Sequence, residues 1–285
     1  MNKKKLFSAA GYWLLAVGCC MAQQRIDVNI WQETNPVAKV KDLSSGVLHV
    51  FPAPKDNNCG RAVIMCPGGG YARYSMNNEG FDWVPFFHSL GYSVAVLKYA
   101  LPHGDPSLPT RDVEQAMRVM RQKAGEWGIH ADSIGIMGFS AGGHLASTLT
   151  VTDKAEVRPA FSILFYPVIT MNRSYTHLRS HDELMTQDAT PELEAQYSSE
   201  QHVTADTPPT FLVMSNDDRT VLPKNGVMFY LAMLEKNRPA SLHIYPTGRH
   251  GWGFRDTFRY HSQMLDELTT WLKYLGVEDV KPKKK

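Results

Sequence analysis

The pentapeptide Gly-Phe-Ser-Ala-Gly at 138–142 constrains the fold of this chain more than any other segment. Residues 133–137 predict a short buried strand before it, and residues 141–149 predict a helix after it that opens with small residues. A serine on such a sharp turn is exposed and strained, and only small neighbours fit beside it. Ser140 is therefore a candidate nucleophile. Chance alone produces such a pentapeptide in roughly one chain in ten of this length, so the rest of the chain must supply the other parts of a site.

Strands and helices alternate along most of the chain, which is typical of an α/β domain with a mostly parallel sheet and helices on both faces. Residues 92–97 form a continuous apolar run, as strands buried on both faces do. Residues 112–127 carry a stripe of apolar side chains with helical spacing. The further predicted strands are an edge strand at 47–51 and strands at 61–66, 160–166, 210–215 and 241–245. The further predicted helices are at 80–90, 226–236 and 260–274.

Residues 170–209 interrupt this alternation. The segment is polar, contains three prolines and predicts at most one or two short helices. Structureless stretches of this length inside a compact domain are usually functional or disordered. We expect a cap-like insertion that lies over the site, within one domain that extends from residue 45 to residue 276.

The first 22 residues differ from the rest, with three lysines followed by an apolar stretch too short to span a bilayer. They predict a signal peptide cleaved before Gln23, with a lipoprotein signal cleaved before Cys19 as the alternative. We therefore expect an exported, periplasmic or secreted protein with no integral membrane segment after processing. Residues 23–44 are then an N-terminal extension and residues 277–285 a solvated basic tail. Because residues 1–22 carry no acid, the remaining chain has a net charge of −1, which gives no reason to expect a nucleic-acid partner.

A nucleophilic serine needs a base with a pKa near the operating pH, which favours histidine. Of eleven histidines, His250 lies between the last predicted strand and the last predicted helix, in a loop rich in glycine. Loops at the carboxyl ends of strands face the ligand in open α/β sheets, so His250 is the candidate base. His144, His243 and His261 lie in predicted helices or strands and are expected to be structural.

The base in turn needs a buried carboxylate that holds its tautomer and stabilises its cation. Asp217 and Asp218 both follow the predicted strand at 210–215, and their position alone does not choose between them. No second acid stands at metal-ligand spacing from either, and no His-Glu-x-x-His occurs, so we expect neither a catalytic metal nor another cofactor.

Acyl transfer also needs N–H donors for the negative charge that develops on the carbonyl oxygen. Ala141 follows the nucleophile directly, and Gly69 and Gly70 lie in a glycine triplet after the predicted strand at 61–66. These three residues are the candidate oxyanion hole. Tyr71 and Trp252 could wall an acyl pocket, although packing in the core explains them equally well.

These motifs resemble those of secreted bacterial α/β-hydrolases of the acetyl esterase type, which include acetylxylan esterases. The resemblance covers about residues 45–275. It rests on Pro-Gly-Gly-Gly-Tyr at 67–71, Gly-Phe-Ser-Ala-Gly-Gly-His at 138–144, Asp-Asp-Arg-Thr-Val at 217–221 and Gly-Arg-His-Gly at 248–251. In that family the acid lies three residues before a valine or isoleucine, which favours Asp218, three before Val221. The resemblance implies the α/β-hydrolase fold, a Ser-Asp-His triad and removal of acetyl groups from acetylated plant cell-wall carbohydrate.

Two other functions fit parts of the pattern. Serine peptidases of the prolyl oligopeptidase type share the triad order, but they usually carry a large extra domain for which no room exists before residue 45. A non-catalytic carbohydrate-binding protein on a hydrolase fold is the other alternative. The intact serine, aspartate and histidine argue against it, because decay of such a site normally removes one of them.

Overall fold

The computed structural model describes residues 25–32 and 46–275. They form one eight-stranded sheet with seven α-helices packed around it. The strands are β1 Ile26–Asn29, β2 Val47–Phe51, β3 Ala62–Cys66, β4 Ser93–Lys98, β5 Ile134–Phe139, β6 Ser162–Phe165, β7 Thr210–Ser215 and β8 Ala240–Tyr245. The helices are α1 Val84–Ser89, α2 Ser107–Gln122, α3 Ser140–Thr150, α4 Leu178–Met185, α5 Pro191–Gln196, α6 Lys224–Glu235 and α7 His261–Tyr274.

The strand order is β1-β2-β4-β3-β5-β6-β7-β8. Strands β1 and β2 pair antiparallel with their neighbours, and all the other pairs are parallel. This mostly parallel sheet surrounded by helices confirms the predicted fold class. The predicted strand at 47–51 is confirmed as β2, but its predicted position at the sheet edge was wrong, because β1 pairs outside it.

The middle of the sheet is the core of the molecule. Every residue of β3, β5, β6 and β7 is buried, whereas most of β8 at the sheet edge is not. The indole of Trp83 packs against Phe139 and Phe165 from two of these strands. Because β3, β5, β7 and β8 run parallel, the loops that follow them emerge at the same edge of the sheet.

The segment 170–209 contains α4, α5 and a single 3₁₀ turn at Ser199–Gln201. Hydrogen bonds tie it to the body of the domain. The Ser199 N–H donates to the Ile169 carbonyl at 3.2 Å, and the Ser199 hydroxyl lies 2.7 Å from that of Ser147 on α3. The segment is therefore packed against the helix that carries Ser140.

Within residues 25–32 and 46–275, no helix has both the length and the apolar character needed to cross a membrane. The predicted signal at 1–22 and the predicted tail at 277–285 lie outside the described residues. Part of the predicted extension at 23–44 is described, and it contributes the edge strand β1.

Candidate active site

Ser140 lies at the junction of β5 and α3. Strand β5 ends at Phe139 and the helix begins at Ser140, whose backbone has φ +53°. A positive φ is rare for a residue with a side chain and marks local strain, as expected at a nucleophile on a tight turn. The Ser140 carbonyl accepts a hydrogen bond from the Val168 N–H at 3.1 Å, which fastens the turn to the segment after β6.

Two glycines let this turn pack against its surroundings. A Cβ at Gly138 would lie 2.3 Å from the Gly142 carbonyl oxygen, and a Cβ at Gly142 would lie 2.1 Å from the Cys66 carbonyl oxygen. Both distances are far below any ordinary contact. The small residues of the pentapeptide are thus required by the close approach of α3 to β5 and to the end of β3.

His250 reaches Ser140 from the loop after β8. Its Nε2 lies 2.8 Å from the Ser140 Oγ, and its Nδ1 lies 2.6 Å from the Asp218 Oδ2. Since a carboxylate only accepts, Nδ1 carries the proton and Nε2 accepts the serine hydroxyl. The loop bends through positive φ at Arg249 and Gly251.

The two neighbouring aspartates have different partners. Asp218 is 2% exposed, and its Oδ1 accepts the N–H groups of Thr220 and Val221 while its Oδ2 faces His250. Asp217 points to the other side of the loop and accepts from Thr247 and from two backbone N–H groups of the following loop. The structure therefore places Asp218 against the candidate base, and Asp217 fastens the two loops together.

Gly69 and Gly70 of the glycine triplet after β3 line the same cleft as Ser140. Gly69 and Gly70 have φ +138° and +67°, conformations that favour glycine. Their N–H groups have no acceptor among the residues that the structure describes. Ala141 lies in the first turn of α3, where N–H groups lack intrahelical acceptors. The three candidate oxyanion donors are thus brought to the edge of the sheet where Ser140 lies.

Sequence reasoning missed a buried acid beside this loop. Glu79 is 4% exposed and accepts hydrogen bonds from the Gly68 N–H at 2.9 Å and the Tyr166 hydroxyl at 2.8 Å. The Tyr166 hydroxyl accepts in turn from the Gly253 N–H at 2.9 Å, and its ring contacts that of His250. Burial raises the pKa of the Glu79 carboxyl even though both donors oppose the shift.

One carboxyl group therefore connects the candidate oxyanion loop to the loop of the candidate base. The sequence offers no signal for this connection, because Glu79 is a single acid at the end of a polar loop.

Tyr71 and Trp252 do not wall the cleft beside Ser140. Tyr71 is 1% exposed, and its hydroxyl donates to His144 Nδ1 at 2.8 Å inside the core. Trp252 is also buried, stacks on Phe258 and donates to the Ser215 hydroxyl, and it lines a separate depression next to the cleft. The Tyr71 hydroxyl and the Trp252 indole N–H both have hydrogen-bond partners in the interior. The prediction that these two residues wall the acyl pocket is therefore corrected.

His144, expected to be structural, joins three parts of the fold. It is buried, and its Nε2–H donates to the Tyr197 carbonyl at 2.7 Å, so Nδ1 is left to accept the Tyr71 hydroxyl. Burial lowers the pKa of this imidazole to about 4. His144 is therefore neutral near pH 7 and contacts neither Ser140 nor Asp218 through a hydrogen bond.

The cleft above Ser140 has a volume of about 480 Å³ and is open to solvent. Polar and charged side chains line it, namely Arg73, Ser75, Glu79, His177, Arg179, Thr220, His250 and Arg255. Within residues 25–32 and 46–275, no group of three or more His, Cys, Asp or Glu side chains could hold a metal ion.

Residues 48–233 match the model of one protein family, BD-FAE. The chain belongs to the BD-FAE family. It is an α/β-hydrolase that is similar to acetylxylan esterases, as the resemblance of its motifs implied.

Among curated proteins, an acetylxylan esterase of Xylanibacter ruminicola is 43% identical over 222 residues, which is 76% of this chain and 46% of that protein. The endo-1,4-beta-xylanase B of Butyrivibrio fibrisolvens is 31% identical over 80% of this chain and 38% of that protein. The chain thus spans less than half the length of these two relatives.

Among solved structures, an acetyl ester-xyloside bifunctional hydrolase from Caldicellulosiruptor lactoaceticus superposes with a TM-score of 0.78 at 30% identity. The match covers 91% of this chain and 98% of that one. The similarity therefore extends over the whole of the solved protein rather than over a shared fragment.

Proposed function

We propose that this protein is a serine esterase that removes acetyl groups from acetylated carbohydrate, with acetylated xylan as the substrate. The observation that carries the proposal is the line of hydrogen bonds from Ser140 through His250 to Asp218 at the base of an open cleft. The family membership and the acetylxylan esterase and xylanase names of its relatives support the substrate class.

In the proposed reaction the Ser140 Oγ attacks the acetyl carbonyl carbon while His250 Nε2 takes the hydroxyl proton. Asp218 holds the Nδ1–H and stabilises the imidazolium. The C–O bond to the sugar then breaks, and His250 returns the proton to the departing sugar oxygen. Water attacks the acetyl-serine with His250 again as base, which releases acetate and restores Ser140.

The N–H groups of Ala141, Gly69 and Gly70 are the proposed donors for the oxyanion of both tetrahedral intermediates. Removing one such donor typically costs about 3–4 kcal/mol of transition-state stabilisation. The Gly69 and Gly70 N–H groups are held in place by their backbone conformations and by the hydrogen bond from the neighbouring Gly68 N–H to Glu79, so the donors need no rearrangement when charge develops.

The segment 170–209 is part of the proposal as a cap-like insertion that selects substrate, because His177 and Arg179 from it line the cleft. Export to the periplasm or beyond is also proposed, on the strength of residues 2–22 and of a polymeric substrate found outside cells. The N-terminal residue of the mature protein, determined by mass spectrometry, tests export: Gln23 is expected, or Cys19 if the protein is a lipoprotein.

The function is tested by acetate release from acetylated xylan and by hydrolysis of p-nitrophenyl acetate. Wild type is expected to perform both, and Ser140→Ala to lose both. The matched control is Ser89→Ala, since Ser89 is an exposed serine on α1 whose hydroxyl donates to the nearby Phe86 carbonyl. Binding of xylan without acetate release would favour a carbohydrate-binding protein, and cleavage of proline peptides would favour a peptidase.

A further inference from the structure

Three arginines line the cleft that contains Ser140. Arg73 follows the glycine triplet, Arg179 belongs to α4 of the insertion, and Arg255 follows the His250 loop. They approach the cleft from three separate segments of the chain. The cleft is therefore cationic on several sides, although the chain without residues 1–22 carries a net charge of only −1.

One close approach and one electrostatic interaction place Arg179 and Arg255 near the oxyanion loop. A Cβ built on Gly70 would lie 3.7 Å from the Cδ of Arg179, so this side chain extends over the oxyanion loop. Burial raises the pKa of Glu79, the acid that fastens the same loop, and the nearby positive charge of Arg255 partly opposes this rise. An anionic group on a bound substrate would meet both arginines near the ester.

The cationic surface continues past His250 into a second depression of about 290 Å³. His250 and Arg255 line both the cleft and this depression, and the depression is also lined by Arg249 and Arg259. No aspartate or glutamate is among the described residues that line this depression. Arg255 thus lies between the cleft and the second depression, which is lined by two further arginines.

None of these five arginines makes an ion pair with another described residue. Elsewhere in the described chain, arginines such as Arg118, Arg158 and Arg173 are paired with carboxylates. The acid that does line the cleft, Glu79, already accepts two hydrogen bonds. The guanidinium groups around the cleft are therefore available to a ligand.

We infer that the preferred substrate is an acetylated oligosaccharide or polysaccharide that carries a carboxylate, such as a uronic acid substituent, near the acetyl ester. Guanidinium groups match a carboxylate geometrically, because two parallel N–H donors face its two oxygens. Unpaired positive charge at a cleft also attracts an anionic polymer and speeds its association. The inference rests on the proposed function and adds to it the chemical class of the sugar chain.

The test compares two matched substrates, an acetylated xylo-oligosaccharide with a uronic acid branch and the same compound with its carboxyl group methyl-esterified. The two differ in one charge and hardly in size. The kcat/KM for acetate release is expected to be about fivefold or more higher for the acid at low salt, and the ratio is expected to fall as salt rises. Equal values for the two substrates at low salt would overturn the inference.

Variants then assign the preference to the arginines. Arg255→Gln and Arg259→Gln are each expected to lower the acid-to-ester ratio about threefold, and Arg255→Lys to retain more of it than Arg255→Gln. Arg111→Gln is the control, since Arg111 is exposed on α2 and lines neither hollow. An unchanged ratio in both glutamine variants would contradict the assignment.

Hydrolysis of p-nitrophenyl acetate by wild type separates the two proposals. Turnover of this neutral ester without preference for the acidic oligosaccharide would refute only the carboxylate inference. No turnover of any of the three esters would instead remove the proposed function.

Discussion

Asp217 and Asp218 are adjacent in the chain yet have separate tasks at the residue scale. Asp218 is buried and faces His250, whereas Asp217 accepts hydrogen bonds that fasten the loop after β7 to the loop after β8. A carboxylate that orients a catalytic histidine must be next to the ring nitrogen and shielded from water. Only Asp218 meets both conditions.

Asp218→Asn is expected to lower kcat for p-nitrophenyl acetate by a factor of about 10³–10⁴, because an amide no longer stabilises the imidazolium and can select the wrong tautomer. Asp217→Asn is the matched control and is expected to retain most of the turnover. Steady-state kinetics near neutral pH measures both variants. A larger loss in Asp217→Asn than in Asp218→Asn would reverse the assignment.

We expect Glu79 to act as a positioning residue, because it bonds both the Gly68 N–H and the Tyr166 hydroxyl. In Glu79→Gln one carboxylate oxygen becomes an NH₂ group that faces a donor, either the Gly68 N–H or the Tyr166 hydroxyl. A buried donor left without an acceptor costs about 1–3 kcal/mol, so kcat is expected to fall about tenfold or more with little change in KM.

The control for Glu79 is Tyr166→Phe, which removes the hydroxyl but leaves the contact of Glu79 with Gly68. It is expected to lower kcat less than Glu79→Gln does. If Glu79→Gln lowers only the melting temperature and leaves kcat intact, the residue is structural and the positioning role is wrong.

At the scale of elements, α3 connects the nucleophile to the insertion. His144, one turn after Ser140, bonds both Tyr71 behind the oxyanion loop and the carbonyl of Tyr197 in the insertion. The neutral imidazole both donates and accepts, so protonation of this buried histidine at low pH would remove the acceptor for the Tyr71 hydroxyl and break the connection. The folded imidazole has a pKa of about 4, compared with an ordinary value of 6.5.

The free energy of unfolding is therefore expected to fall as the pH falls from 6.5 to 4. In that range His144 is protonated in the unfolded chain but remains neutral in the folded chain. The full effect of His144 corresponds to about 3 kcal/mol in the free energy of unfolding. His144→Gln keeps a donor and an acceptor and cannot be protonated, so its melting temperature is expected to depend less steeply on pH in this range.

His130→Gln, which removes an exposed histidine, serves as the control and is expected to follow wild type. Thermal unfolding between pH 4 and 7 measures all three proteins. Parallel pH profiles for wild type and His144→Gln would contradict the account.

Element types were predictable from the sequence, whereas some ends were not. Helix α2 begins at Ser107 rather than at the predicted residue 112, because Pro109 is tolerated in a first helical turn. The predicted strand at 210–215 coincides with β7, where every residue is buried. Strand β1 was not predicted, because its apolar-polar alternation extends over only four residues.

At the scale of the whole molecule, parallel pairing brings the loops after β3, β5, β7 and β8 to one edge of the sheet. Ser140, His250 and the glycine triplet could be predicted from two facts: the order of the motifs along the chain, and the position of ligand sites at the carboxyl ends of parallel strands. The same reasoning could not find Glu79 or the arginine-lined hollows. Their partners lie far apart in sequence and meet only through packing.

The central claim is that Ser140 is the activated nucleophile, and a p-nitrophenyl phosphonate tests it most directly. Such an ester phosphonylates an activated serine and forms an adduct that water does not readily remove. Peptide mapping by mass spectrometry is expected to find one phosphonyl group per chain, on the peptide that contains Ser140. Acetate release should fall in proportion to labelling, and Ser140→Ala should take up no label. Loss of activity with the label on another residue, or acetate release by Ser140→Ala at the wild-type rate, would contradict the account.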